Sequence, residues 1–574
     1  MIYYSHMLHM HDEDHQKRLD EIKKREEEDL IAILAKDRYG LPYIDLALMP
    51  IENEALRYTT VEEAEKFGVG PFKILNKQLH VVIHTPNTPG VTEFKKLMEN
   101  KGIFCHFYMG SMASLQKVWE RFKEISYATS SRVGGLDIQG DVITEMTAHV
   151  NTLQDVTKDL QDLATQEGQH KISHFLEIIL GSAITLGASD IHIEPEEEQV
   201  RLRFRLDGNL QDVYSYDYKI HKLVNSRLKL VSGLKLTNES KAQDGRFSIF
   251  LDAETEISVR VSTVPSTYGE GFVMRLLNPK SIQVDLEEMG INQDVYEIMM
   301  KEINKPNGLI LITGPTGSGK TTTLYAFLRK IYTPDIKVIT IEDPVEYHLK
   351  GITQTQVEHE KGYDFLAGLR AALRQDPDVI MVGEIRDPET AKIAVESALT
   401  GHLVFSTLHT NNAQGVIPRL TDLDVNPKIL VSALTLSIAQ RLVRKLCNAC
   451  KQKMATPTEK DIALIKSILD QAKVEGKNIE KYGVTDTMTY ELYEPVGCEK
   501  CNFTGYKGRI GIFEAIPTDE KIEAIIPNNP SEREIKRVSE TQGLLDMKED
   551  GVIKIITGVT SLEEVMGVVD MYEN

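Results

Sequence analysis

Apolar runs and helix-spaced segments alternate along most of this chain, and their rhythm changes from region to region. The runs 309–312, 337–341, 379–382 and 403–407 are rich in Val, Ile and Leu, and stretches with helical spacing such as 322–331 separate them. Mostly apolar, β-branched runs between helices predict buried strands, so residues 291 to about 440 read as an α/β core with a parallel sheet. Upstream, the pattern predicts a helix over 170–186, strand-rich stretches over 190–251 and 257–277, and a further helix over 218–232. Near the start, the charged segment 11–29 predicts a solvated helix, and short alternating runs such as 79–83 predict a small α+β domain. Ser130, Ser131, Gly134, Gly135 and Gly140 mark a linker, 278–290 reads as a hinge, and the part beyond 440 reads as mostly helical.

At 574 residues the chain exceeds one hydrophobic core and divides into about three or four domains. The expected division is 1–126, a linker 127–165, a second domain 166–280, a hinge 281–290 and a last domain 291–574. Composition is ordinary for a globular protein, with 41% hydrophobic and 26% charged residues. A formal net charge of −20 argues against a surface built to neutralise a nucleic-acid backbone, so no nucleic acid is expected as a partner. No apolar stretch approaches the ~18 residues that span a bilayer, and the first residues turn acidic where an export signal needs an apolar core. The expectation is a cytoplasmic protein, with any membrane role coming through partners.

Gly314, Pro315, Thr316, Gly317, Ser318, Gly319, Lys320 and Thr321 spell G-x-x-x-x-G-K-[ST] between the run 309–312 and a helical stretch that opens with Thr322. In such a loop glycines let successive N–H groups face phosphates, the helix adds its positive end, a lysine neutralises β/γ charge and a hydroxyl ligates Mg²⁺. The chain is therefore expected to bind a nucleoside triphosphate with Mg²⁺. Two later runs end in acids, at Glu342 and Glu384, and a third delivers His409. Ligands of α/β sheets bind at the carboxyl ends of strands, so these three are expected to join the loop in one site. Either carboxylate at a strand end is able to orient a water.

These motifs, in this order, resemble the secretion and pilus ATPase superfamily, specifically its assembly-type GspE/PilB proteins of type II secretion and type IV pilus extension. GPTGSGKTTT is similar to the Walker A motif, ITIEDPVEY to the Asp box, LRQDPDVIMVGEIRD to Walker B and GHLVFSTLHTNNA to the His box. Upstream, ASDIHIEP, RFRLDG, QDGR and RVST resemble the family's second amino-terminal domain. The resemblance implies a RecA-like motor behind a PAS-like α+β domain and a small amino-terminal α+β domain. It assigns Lys320 and Thr321 to phosphate and Mg²⁺, Glu342 to activating water, Glu384 to the magnesium shell and His409 to sensing the γ-phosphate. Of Arg201, Arg203, Arg205, Arg260 and Arg275, it points to Arg205 and Arg260 as fingers entering a neighbouring subunit's site; solvated strand faces are the plainer reading. It also implies a homo-hexamer acting on an inner-membrane platform protein of the PilC/GspF kind, with a docking partner of the PilM/GspL kind. A conjugation-type or nucleic-acid-translocating ATPase is the alternative, and a non-hydrolysing scaffold is the non-enzyme one.

Cys447-x-x-Cys450 and Cys498-x-x-Cys501 leave only Cys105 over, and two such knuckles suit a structural Zn²⁺. The alternative is a pair of disulfides. The 47 residues between the knuckles are long for a zinc ribbon, and the resemblance accounts for them, since assembly-type members carry a tetracysteine subdomain, here 445–510, that retraction-type members lack. That intervening segment reads as too polar to order by apolar burial, with Glu475, Lys477 and Asp486 inside it. In residues 1–126 the resemblance implies a docking domain, and the extended pattern through which some relatives bind cyclic di-GMP is absent.

Overall fold

The structure, a computed structural model, describes residues 30–46, 51–56, 58–75, 78–100, 103–125, 149–165, 171–251, 256–278, 283–485 and 490–572, together with Glu28, Met49, Gly135, Leu136 and Met146. The charged segment 11–29 apart from Glu28, most of the expected linker and 279–282 of the expected hinge lie outside them. The chain forms two compact units, Met1–Asp137 and Ile138–Asn574. No helix among the described residues is long and apolar enough to cross a membrane.

In the first unit, strands Val69–Leu75, Gln78–Ile83 and Phe104–Met109 form one sheet, the first pair antiparallel and the second parallel. The parallel pair is joined through helix Pro89–Asn100, as a parallel connection requires. Leu79, Val81, Phe94 and Val118 are buried between this sheet and its helices.

The second unit opens with helices Leu153–Thr165 and Lys171–Thr185 and an antiparallel sheet in the order Gln243–Phe250, Glu256–Ser266, Gly269–Leu277, Asp190–Pro195, Val200–Leu206, Asn209–Tyr216. Strand Val200–Leu206 alternates strictly, with Val200, Leu202, Phe204 and Leu206 buried and the three arginines between them half-buried. Helix Tyr218–Val231, capped by Asp217, buries Lys229 against Glu270 at 2.6 Å.

The motor sheet runs Thr353–Gln356, Val338–Glu342, Val379–Val382, Leu403–Leu408, Gly308–Thr313, Leu434–Leu446, Tyr506–Pro517. The first six are parallel and the last is antiparallel. Strands Gly308–Thr313 and Leu403–Leu408 are buried at every position, which is why they carry no charged residue and read as mostly apolar runs.

Two expectations need correction. The part beyond 440 is not mostly helical: Leu434–Leu446 and Tyr506–Pro517 pair over most of their length and extend the motor sheet. Leu434–Leu446 is covered on both faces and carries helix-forming Ala439, Gln440, Arg441 and Leu442, so neither alternation nor propensity marks it as a strand. The segment between the knuckles also orders by apolar burial. Its helix Glu459–Val474 buries Ile465, Leu469 and Ala472 in the motor core, and Ile479, Val484 and Leu492 follow them. Lys477 is itself buried, with Glu549 at 2.8 Å and Glu475 at 2.7 Å. Burial would lower its ammonium, and the Glu549 carboxylate, with the hydrogen bonds that Lys477 donates to Glu475 and Glu549, outweighs that and raises it.

Candidate functional site

The phosphate loop connects strand Gly308–Thr313 to helix Lys320–Ile331, and the sequence explains its shape. Gly314, Gly317 and Gly319 take φ of 145°, 79° and 91°, a region that side chains resist. Thr316 lies in the same turn, and Thr321 and Thr322 form the helix's first turn, with the Thr321 side chain exposed. Lys320 folds back so that Nζ donates to the carbonyls of Gly314 at 2.9 Å and Pro315 at 3.0 Å. Ser318 is buried and its hydroxyl has no partner, as expected of a group that awaits a phosphate oxygen. Burial lowers the Lys320 ammonium, the nearby Glu384 raises it and Arg441 lowers it further.

The structure brings Glu384 and His409 together beside this loop. His409 Nε2 lies 3.2 Å from one Glu384 oxygen and Arg386 2.5 Å from the other. The His409 loop is tied to the base of the phosphate loop, since Thr410 N donates to Thr313 Oγ1 at 2.7 Å. Asp387, in the same strand-end motif as Glu384, only caps helix Pro388–Leu399.

Glu342 is placed differently. Its side chain is buried, accepting hydrogen bonds from the hydroxyls of Tyr325 and Thr340, the latter at 2.5 Å, and from Gln354 Nε2 at 3.1 Å. Burial pushes its carboxyl up, while these three donors pull it down. Glu342 is thus sealed in the core, whereas the Glu384 side chain, though its oxygens also have partners, keeps 14% exposure beside the phosphate loop. Tyr325 comes from the phosphate-loop helix and also accepts from Glu346 N at 3.3 Å, so Glu342 fastens the Asp-box loop to that helix.

All five amino-terminal arginines have partners within this chain. Arg201 pairs with Asp212 at 2.6 Å and Arg203 with Glu194 at 2.5 Å, while Arg205 and Arg275 share Asp190 at 3.3 and 3.0 Å. Arg205 also donates to the Gly208 carbonyl at 2.9 Å. Arg260 alone of the five turns to the motor, donating to the Val345 carbonyl at 3.1 Å and facing Glu346 at 3.5 Å.

Cys447, Cys450, Cys498 and Cys501 converge, with all four sulfurs within 4.8 Å of one another. The separations Cys447–Cys498, Cys450–Cys501 and Cys498–Cys501 are 3.9, 3.8 and 3.7 Å. A tetrahedron of thiolates around zinc has S···S edges of about 3.8 Å, whereas a disulfide brings its sulfurs to about 2 Å. The four cysteines therefore fit zinc and are not disulfide-bonded. The N–H groups of Cys498 and Gly505 donate to Cys501 Sγ at 3.2 and 3.3 Å, the outer support a metal thiolate needs. Asn502, just past the knuckle, accepts from Leu153 N at 3.0 Å. Cys105 is part-buried and burial pushes its thiol up to about 11, so it is an inert filler.

Sequence reasoning did not single out Tyr325, Gln354, Arg386, Gln440 or Arg441. Gln440 is buried and accepts from Thr323 Oγ1 at 2.8 Å, pinning the phosphate-loop helix to strand Leu434–Leu446. Recognising that strand is what would have found Gln440 and Arg441; a tyrosine one turn into the helix carried no signal.

The family model described as "Type II/IV secretion system protein" matches residues 165–567. The type IV pilus assembly ATPase PilB of Myxococcus xanthus is 36% identical over 543 residues, 94% of this chain and 91% of that protein. Type II secretion system protein E of Pseudomonas aeruginosa is 42% identical over 416 residues, 72% of this chain and 79% of its own length. The solved structure of the Legionella pneumophila ATPase DotB, 23% identical, shares the fold with a TM-score of 0.50 over 70% of this chain and 97% of that one. With a family model across more than half its length and a relative above one-third identity across more than nine-tenths of it, this chain belongs to the type II/IV secretion system protein family.

Proposed function

We propose that this chain is an ATP-hydrolysing motor of filament assembly, in type IV pilus extension or type II secretion. The observation that carries the reading is the glycine-formed loop with Lys320, the unpartnered Ser318 hydroxyl and Glu384 gathered at one end of a parallel sheet. Phosphoryl transfer needs positioning and charge neutralisation more than covalent chemistry, and these residues supply both. Lys320 leaves its own loop carbonyls to neutralise β/γ charge, and the loop N–H groups hold the phosphates. Mg²⁺, held by Thr321 and the Glu384 carboxylate, would neutralise the remaining charge. Glu384 orients the attacking water, with His409 and Arg386 fixing its oxygens. Glu342 is a positioning residue, acting through Tyr325.

The chain acts as a hexamer in the cytoplasm, on a membrane platform protein, with residues 1–126 as the docking part and 291–574 as the motor. The relatives' names and the net charge of −20, unsuited to a nucleic-acid track, support this over a translocase. Zinc is structural, since four thiolates leave no open position for chemistry.

Arginine fingers acting between subunits require Arg205 or Arg260 to leave the partners described above, and Arg260 has the weaker hold. Mixing Glu384→Gln chains with Arg260→Ala chains, and separately with Arg205→Ala chains, tests this through phosphate release. Partial recovery is expected for Arg260; no recovery in proven mixed oligomers would remove the finger role.

A further inference from the structure

Arg441, on strand Leu434–Leu446, is a half-buried cation against the phosphate loop. Its Nη2 donates to the Asn411 carbonyl at 2.6 Å and its Nη1 to the Gln440 carbonyl at 3.2 Å. A Cβ built on Gly314 would lie 3.1 Å from that Nη1, so the guanidinium rests on the first glycine of the loop. Lys320 donates to the carbonyl of the same Gly314. Two cations thus converge on one glycine. Among the described residues neither has a carboxylate within 4.0 Å, and Glu384 is already paired with Arg386 and His409. Burial lowers the Arg441 guanidinium, and Glu514, which raises it, is buried and holds Ala413 N instead. Partly buried cations held only by carbonyls lack the counter-charge that offsets their lost hydration, and an anion placed between them supplies it.

We propose that Arg441 is a second phosphate-binding cation of this chain's own nucleotide site, one that leaves the Asn411 carbonyl to hold the terminal phosphates of the bound nucleotide. This rests on the ATP reading above and adds a residue to it. A planar guanidinium presents paired N–H donors that match phosphate oxygens, which the point charge of Lys320 does not. Asn411 lies two residues beyond His409, so the move also reports phosphate occupancy to the His409 loop.

The test is equilibrium binding of fluorescent mant-ATP, mant-ADP and mant-AMP with Mg²⁺ to the full chain, to Arg441→Gln and to Arg441→Lys. Arg441→Gln should weaken mant-ATP at least tenfold, ~1.4 kcal/mol, with a smaller loss for mant-ADP and none for mant-AMP. Arg441→Lys should recover part of the loss. Unchanged mant-ATP affinity in Arg441→Gln, or an equal loss for all three nucleotides, overturns the proposal; no binding by the parent chain overturns the ATP reading and this with it. Because the glutamine variant risks misfolding, phenylglyoxal labelling of the parent gives a second readout by mass spectrometry. Arg441 should be labelled in the free chain and protected by Mg-ATP but not by adenosine; equal labelling throughout contradicts the proposal.

Discussion

Replacing Glu342 separates a residue that does chemistry from one that positions the groups around it. In the parent, Glu342 accepts from Thr340, Tyr325 and Gln354, all within the motor core. Glu342→Ala strands three buried donors; at ~1–3 kcal/mol for each, the motor loses about 3 kcal/mol or more. That corresponds to a fall of about 5 °C or more in the unfolding midpoint of a domain of this size. Glu342→Gln keeps an acceptor for Thr340 and Gln354 and removes a buried charge, so its stability should stay within about 1 kcal/mol of the parent. If Glu342 positions, Glu342→Gln lowers kcat by less than tenfold, ~1.4 kcal/mol of barrier, while Glu384→Gln lowers it by about 10²-fold, ~2.7 kcal/mol. Steady-state phosphate release at saturating Mg-ATP measures both, with thermal unfolding as the control for folding. A stably folded Glu342→Gln chain that loses 10²-fold while Glu384→Gln turns over at the parent rate would refute the assignment.

Three further outcomes follow from named groups. The chain should carry about one Zn²⁺ per subunit by elemental analysis, and Cys498→Ser should lose it while helix Glu459–Val474 keeps its hydrogen-exchange protection, because its apolar face is buried in the motor core; full zinc retention contradicts the site. Lys229→Met leaves Glu270 buried without its cation and should cost ~3–5 kcal/mol in denaturant unfolding, much of it restored by adding Glu270→Gln; a purely additive double variant contradicts the pair's coupling. ATP affinity should fall as alkaline pH neutralises Lys320. Its folded pKa lies below the ordinary lysine range, so the protonated form that binds phosphate is lost earlier than for an exposed lysine; a flat mant-ATP affinity between pH 7 and 10 contradicts this.

The phosphate loop was legible because its chemistry demands particular residues in a fixed order, and strands Val379–Val382 and Leu403–Leu408 because burial on both faces keeps charged residues out of them. The same two-sided burial hid Leu434–Leu446, whose Gln440 and Arg441 are interior polar groups serving the loop and not a solvent face. Polarity also misled at Lys477, because a sequence does not show that Glu549, far along the chain, will bury with it. Glu342 was found by position alone. Which way a strand-end carboxylate turns depends on Tyr325 and Gln354, two neighbours that only the folded chain supplies.

The central claim is tested most directly by phosphate release from Mg-ATP by the parent chain and by Lys320→Ala, side by side at matched oligomeric state. The account predicts turnover by the parent and a loss of at least ~10²-fold in the variant, because the fixed cation that meets the β/γ-phosphates is gone. Equal rates in the two chains, or no turnover by the assembled parent, would contradict it.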